Sequence, residues 1–143
     1  MSEKTDIEWQ SLNVRIARKI MGWFKWDELP AEARKAYWAI MEEEPGDWTL
    51  GYCHEKWWFL DDSDCPDWEY SIEEWQPHND LTQAIKARDR IASWGFDWCI
   101  SRWAGAPQIQ VLFMRGAEHY DGYADTDAKA VCLAIENFRE ANC

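Results

Sequence analysis

Carboxylates and indoles crowd one stretch of this chain. Asp61, Asp62, Asp64, Asp67, Glu69, Glu73 and Glu74 lie within fourteen residues, with Trp57 and Trp58 just before them and Trp68 among them. From Glu42 to Glu74 there are twelve acidic residues and one base, Lys56, a net charge of -11 out of -12 for all 143 residues. The other residues carry fifteen acids and fourteen bases, close to neutral. Trp48, Trp57, Trp58, Trp68 and the adjoining Trp75 are five of the twelve tryptophans. Such a surface repels nucleic acid and anionic lipid and attracts basic protein surfaces.

Other chemistry is poorly served by the spacing. Asp61-Asp62-Ser63-Asp64 has the carboxylates of a calcium loop. Counted from Asp62, however, the sixth position, where such a loop needs glycine, is Asp67. Cys53-His54, Cys65 and His78 contain zinc-ligand types. With 53 and 54 expected on a strand, adjacent side chains would point to opposite faces and could not share a metal. Cys99 and His119 are a conceivable nucleophile and base, provided the chain brings them together. Cys132 falls on an apolar helical stripe and reads as a core residue. The seven glycines are dispersed, so no phosphate-cradling loop is present. No catalytic residue, metal site or cofactor is therefore expected.

The elements that must position these residues follow from periodicity. Leu12, Ile16 and Ile20, with Trp9 one turn earlier, predict a helix over about 6–21 capped by Gly22. Pro30 opens a second helix to about 43, with Ala33, Tyr37, Ile40 and Met41 as its buried stripe. Residues 48–60 read as extended, since Trp48, Leu50 and Tyr52 alternate ahead of Trp57-Trp58-Phe59-Leu60. Residues 61–76 read as an irregular acidic connection. Asn79 or Asp80 caps a third helix, whose apolar side is Leu81, Ala84, Ile85, Ile91 and Ala92 and which Gly95 closes.

Phe96, Trp98 and Ile100, then Ile109, Val111 and Phe113, alternate as two strands of an antiparallel hairpin looping through Ala104-Gly105-Ala106-Pro107. Residues 118–123 read as a polar loop. A last helix over about 126–141 buries Ala128, Val131, Cys132, Ile135 and Phe138. Together these elements predict an α+β fold: one domain, a small antiparallel sheet covered by helices, with an inserted helix and acidic segment at about 28–76.

At 143 residues and 47% hydrophobic composition the chain can bury an ordinary core. Its polar N-terminus lacks a signal-peptide run, and no stretch is long and apolar enough to span a membrane. Five cysteines without a CxxC pair suit free thiols in a reducing cytoplasm.

Three segments resemble the phage ABA sandwich domain family: Leu12-Asn13 through Arg18-Lys19-Ile20-Met21-Gly22-Trp23, like its opening helix; Trp75-Gln76-Pro77-His78-Asn79-Asp80-Leu81-Thr82-Gln83-Ala84, like the turn into its middle helix; and Ala124-Asp125-Thr126 through Ala130-Val131-Cys132-Leu133-Ala134-Ile135, like its closing helix. The helix after Pro30 and the acidic stretch depart from the family pattern. The resemblance implies a small phage or prophage accessory protein with helices packed on a sheet, and it carries over no enzymatic residues.

Charge and resemblance together lead to one expectation. Asp61, Asp62, Asp64, Asp67, Glu69, Glu73 and Glu74 would replace backbone phosphates on the basic surface of a nucleic-acid-handling host protein, with Trp57, Trp58 and Trp68 as anchors. The competing expectation is a nucleotide-binding aromatic pocket with a cationic site built from Arg88, Arg90, Arg102 or Arg115.

Overall fold

The computed structural model describes residues 4–102, 104–105 and 108–142. In chain order the regular elements are α1 (Asp6–Arg15), α2 (Ala31–Met41), α3 (Asp47–His54), β1 (Lys56–Leu60), β2 (Pro66–Ser71), α4 (Leu81–Ala92), β3 (Asp97–Ser101), β4 (Ile109–Arg115), β5 (Glu118–Ala124) and α5 (Asp127–Asn142). The fold class is α+β. Two compact units are formed, one from Met1–Met21 with Gln76–Cys143 and the other from Gly22–Trp75. The expected inserted segment at 28–76 falls almost wholly in the second.

In the first unit, antiparallel β3, β4 and β5 form a sheet in that order, and α5 covers β4 and β5. Val111, Phe113, Gly122 and Ala124 face the buried stripe Ala130, Val131, Ala134, Ile135 and Phe138. β5 replaces the expected polar loop. Its signal was Tyr120, Gly122 and Ala124 in alternation, entered by a two-residue turn in which Gly116 takes φ +60°. Gly122 is required, because a Cβ there would lie 2.6 Å from the Ala130 carbonyl oxygen. Ala106 and Pro107 of the predicted β3–β4 loop lie outside the described residues.

α1 begins at a capping box in which Glu8 N–H donates to Thr5 Oγ1 at 3.2 Å. The helix continues as a π-helical turn over Ile16–Ile20. Residues four apart drift about 40° around an α-helix, and the wider turn counters that drift for Leu12, Ile16 and Ile20, all buried. Asp80 caps α4, which buries Ala84, Ala87 and Ile91, whereas Leu81 at its first turn is exposed.

The second unit is built around rings. Trp26, Leu29, Cys53 and Trp58 form its centre, with Phe24, Tyr37, Trp38, Leu60 and Trp68 packed around them. Trp26 meets Trp58 at 5.1 Å and Trp38 at 5.6 Å between ring centres. The Trp58 indole N–H donates to the Cys53 carbonyl at 2.8 Å. Truncating a ring so enclosed costs about 3–5 kcal/mol. β1 and β2 pair as an antiparallel hairpin, and Phe24 adds two backbone hydrogen bonds to Trp58.

Two expectations fail in this unit. Residues 47–54 form helix α3, not a strand: Leu50 and Cys53 turn inward while Trp48 and Tyr52 share another face. An eight-residue segment with only four apolar side chains, Trp48, Leu50, Tyr52 and Cys53, fits either period, and aromatic strand preference yields to packing. Residues 61–76 are not all irregular, since β2 occupies Pro66–Ser71. The predicted stripe of α2 also stops short. Ala33 is buried and Tyr37 half-buried, but Ile40 is 64% and Met41 49% exposed.

Candidate functional site

All seven carboxylates singled out from the sequence are at the surface of the second unit. Asp61, Asp62 and Asp64 form the β1–β2 turn. There Asp61 Oδ1 accepts the Ser63 and Cys65 N–H groups at 2.8 and 3.0 Å. Asp64 takes the left-handed conformation at φ +59°, which Asp tolerates better than most residues. The loop is thus a self-bonded turn, with Asp61 serving the backbone. Asp67 and Glu69 alternate outward along β2, while Trp68 and Tyr70 point inward. Glu73 and Glu74 follow the strand. Ser71 N–H donates to Glu74 Oε1 at 3.1 Å, and the Ser71 hydrogen bonds, side chain first, hold the Glu74 carboxyl below its usual pKa.

The tryptophans divide. Trp57 and Trp58 are 1% and 0% exposed, so neither offers a ring to a partner. Trp58 packs against Trp26 and Tyr37, and the Trp57 ring at the neighbouring position has Lys25 Nζ 5.9 Å from its centre. Trp68 is half-buried, and Lys56 Nζ sits 4.1 Å from its ring centre and 4.7 Å from that of Tyr52. The ring that sequence reasoning passed over is Trp48, 80% exposed. Its signal was present: in a helix Trp48 and Tyr52 are one turn apart, on a face with no apolar companions.

Two recesses open beside these rings. One, of 250 Å³, runs between Ile40, Met41, Tyr52, Pro66, Asp67 and Trp68. The other, of 190 Å³, is lined by Tyr37, Trp38, Met41, Glu43, Trp48 and Tyr52, with Thr49 at its edge. The Tyr37 hydroxyl is pushed up to about 12, first by burial and then by Cys53, and so stays neutral. Burial likewise raises the Cys53 thiol.

The chain shares this fold with a phage protein. The crystal structure of a phage protein from Bacillus cereus ATCC 14579 superposes on it with a TM-score of 0.50 at 14% identity, over 96% of this chain and 98% of that one. Identity this low makes it a likeness of fold. No family model matches the chain, so the resemblance to the phage ABA sandwich domain family rests on the three segments quoted above. No curated protein matches it either.

The remaining candidates disperse. Cys99 and His119 lie on β3 and β5 with β4 between them, at different levels: Cys99 pairs with Leu112, His119 with Met114. Arg102 pairs with Asp127 at 2.8 Å, just beyond one end of the β3–β4 pairing. Arg115, at the other end, bonds to Glu118 and the Trp94 carbonyl. Arg88 stacks on Trp98 at 3.7 Å and pairs with Asp89. Arg90 lies 5.9 Å from the Trp94 ring centre, so Arg90 and Arg115 both reach Trp94 while Arg88 and Arg102 are engaged by other partners. Among the described residues no group of three His, Cys, Asp or Glu is placed to hold a metal, and no helix is long and apolar enough to cross a membrane.

Proposed function

We propose that this chain is a non-enzymatic phage or prophage accessory protein that binds and inhibits a host protein. Its target is a nucleic-acid-handling protein, and its role is counter-defence of the anti-restriction or anti-CRISPR kind. The carrying observation is the exposure of Asp61, Asp62, Asp64, Asp67, Glu69, Glu73 and Glu74 together on one compact unit. All seven residues are exposed, Asp61 and Glu74 while also accepting backbone hydrogen bonds, so the unit presents negative charge in place of phosphates. The fold shared with a phage protein supports the origin. Exposed Trp48, Met41 and Ile40 on the same unit supply the apolar anchors that buried Trp57 and Trp58 do not.

The test is capture from bacterial lysate, followed by competition. A captured protein should lose its grip on nucleic acid as purified chain is added. Undiminished nucleic-acid binding at saturating chain would overturn the inhibitory reading.

A further inference from the structure

Within the acidic block the one base, Lys56, already has its place against the rings of Tyr52 and Trp68. The 190 Å³ recess beside it repeats that chemistry with no base of its own. Tyr37, Trp38, Trp48 and Tyr52 give it four rings, Met41 a polarisable thioether, and Glu43 a carboxylate. Ring faces are electronegative and hold cations within about 6 Å of their centres, most strongly at tryptophan. Trp48 and Tyr52 stand 23° from parallel with centres 6.5 Å apart, towards the wide end of the range for stacked rings.

We infer that this recess is a cation cage that takes an arginine side chain of the partner protein. A guanidinium is flat, weakly hydrated and always charged, so it lies against indole and phenol faces while a fork of N–H groups reaches Glu43. The net charge of -11 on residues 42–74, which supply Glu43, Trp48 and Tyr52 to the lining, favours a cation and disfavours phosphorylated ligands, which the aromatic lining alone would admit. The exposure of Trp48 fits the same role, since a ring left in water gains most when a partner covers it. The inference rests on the proposed docking of the acidic unit on a basic protein and names the contact at its centre.

Ethylguanidinium and its neutral isostere N-ethylurea are the probes, titrated at constant ionic strength against ¹⁵N-labelled protein. Ethylguanidinium should shift the indole N–H resonances of Trp48 and Trp38 saturably, with N-ethylurea about three- to fivefold weaker. Trp48→Ala and Glu43→Gln, both surface changes, should each weaken ethylguanidinium by a similar factor without lowering the melting temperature. Unmoved Trp48 and Trp38 resonances, or equal response to the two probes, would overturn the cage. The two readings fail separately. If ethylguanidinium titrates Trp48 but no basic protein is captured from lysate, the cage stands and the docking falls. If capture depends on the acidic face while ethylguanidinium leaves both indoles unmoved, the docking stands and the cage falls.

Discussion

Lys56 Nζ lies 4.1 Å from the centre of the Trp68 ring, which makes the sole base of the acidic block an internal ligand of its aromatic cluster. The contact holds β1 against β2 and also offsets some of the surrounding negative charge. Lys56→Met should lower stability by about 0.5–1 kcal/mol, and Lys56→Arg should not. Urea unfolding followed by tryptophan fluorescence reads both. Equal stability of all three proteins would show that the ammonium contributes nothing.

Stability of the first unit should fall in mild acid. The Asn13 amide donates to His78 Nδ1 at 2.9 Å, placing the proton of the neutral ring on Nε2, and the ring stacks on Trp9. Burial lowers the His78 pKa below 6.5, Lys129 adds to the shift, and Asp6 opposes it. The unfolded chain therefore binds the proton more readily than the folded one, so stability is complete above pH 6.5 and declines as pH falls through and below that value. Denaturant midpoints from pH 7.5 down to 5 should show a steeper decline for the native sequence than for His78→Gln. Parallel curves would count against it.

Gly122→Ala should be among the most damaging single changes. β5 approaches α5 so closely that the added methyl meets backbone, at Ala130 and Ala134, and backbone cannot rotate aside. Overpacking of this kind costs about 1–3 kcal/mol, and here lies at the upper end. Gly46→Ala is the control, since a Cβ there makes ordinary contact with Thr49 Oγ1 at 3.8 Å. A Gly122→Ala protein as stable as the parent would contradict the observed β5–α5 packing.

Elements with a long, clean period were legible before any coordinates: α5 buries Ala128, Val131, Cys132, Ile135 and Phe138 as its spacing demands, and β4 buries Ile109, Val111 and Phe113. Short aromatic segments were not. Trp48, Leu50 and Tyr52 alternate as a strand would, yet they lie on helix α3, because inward-turning Cys53 and Leu50 satisfy a helical period equally well. β5 was hidden by its own polarity and by a glycine whose purpose is proximity to α5. Exposure of the acidic residues followed from charge alone, since carboxylates are seldom buried without partners. Which indoles would be exposed did not follow, because the exposure of Trp48 becomes legible only once residues 47–54 are read as a helix, and the burial of Trp58 depends on Trp26 and Tyr37 brought from elsewhere in the unit.

The most direct measurement of the docking claim compares capture from bacterial lysate by the native chain and by a variant carrying Asp62→Lys, Asp67→Lys and Glu69→Lys. Asp61 and Asp64 are left alone because they build the turn. At about 0.05 M salt the native chain should retain a nucleic-acid-binding protein that is released by about 0.5 M, where screening shortens to a few ångströms. The variant, with unchanged circular dichroism and melting temperature, should retain none at either. Equal retention by both chains would contradict the claim that this acidic face makes the contact.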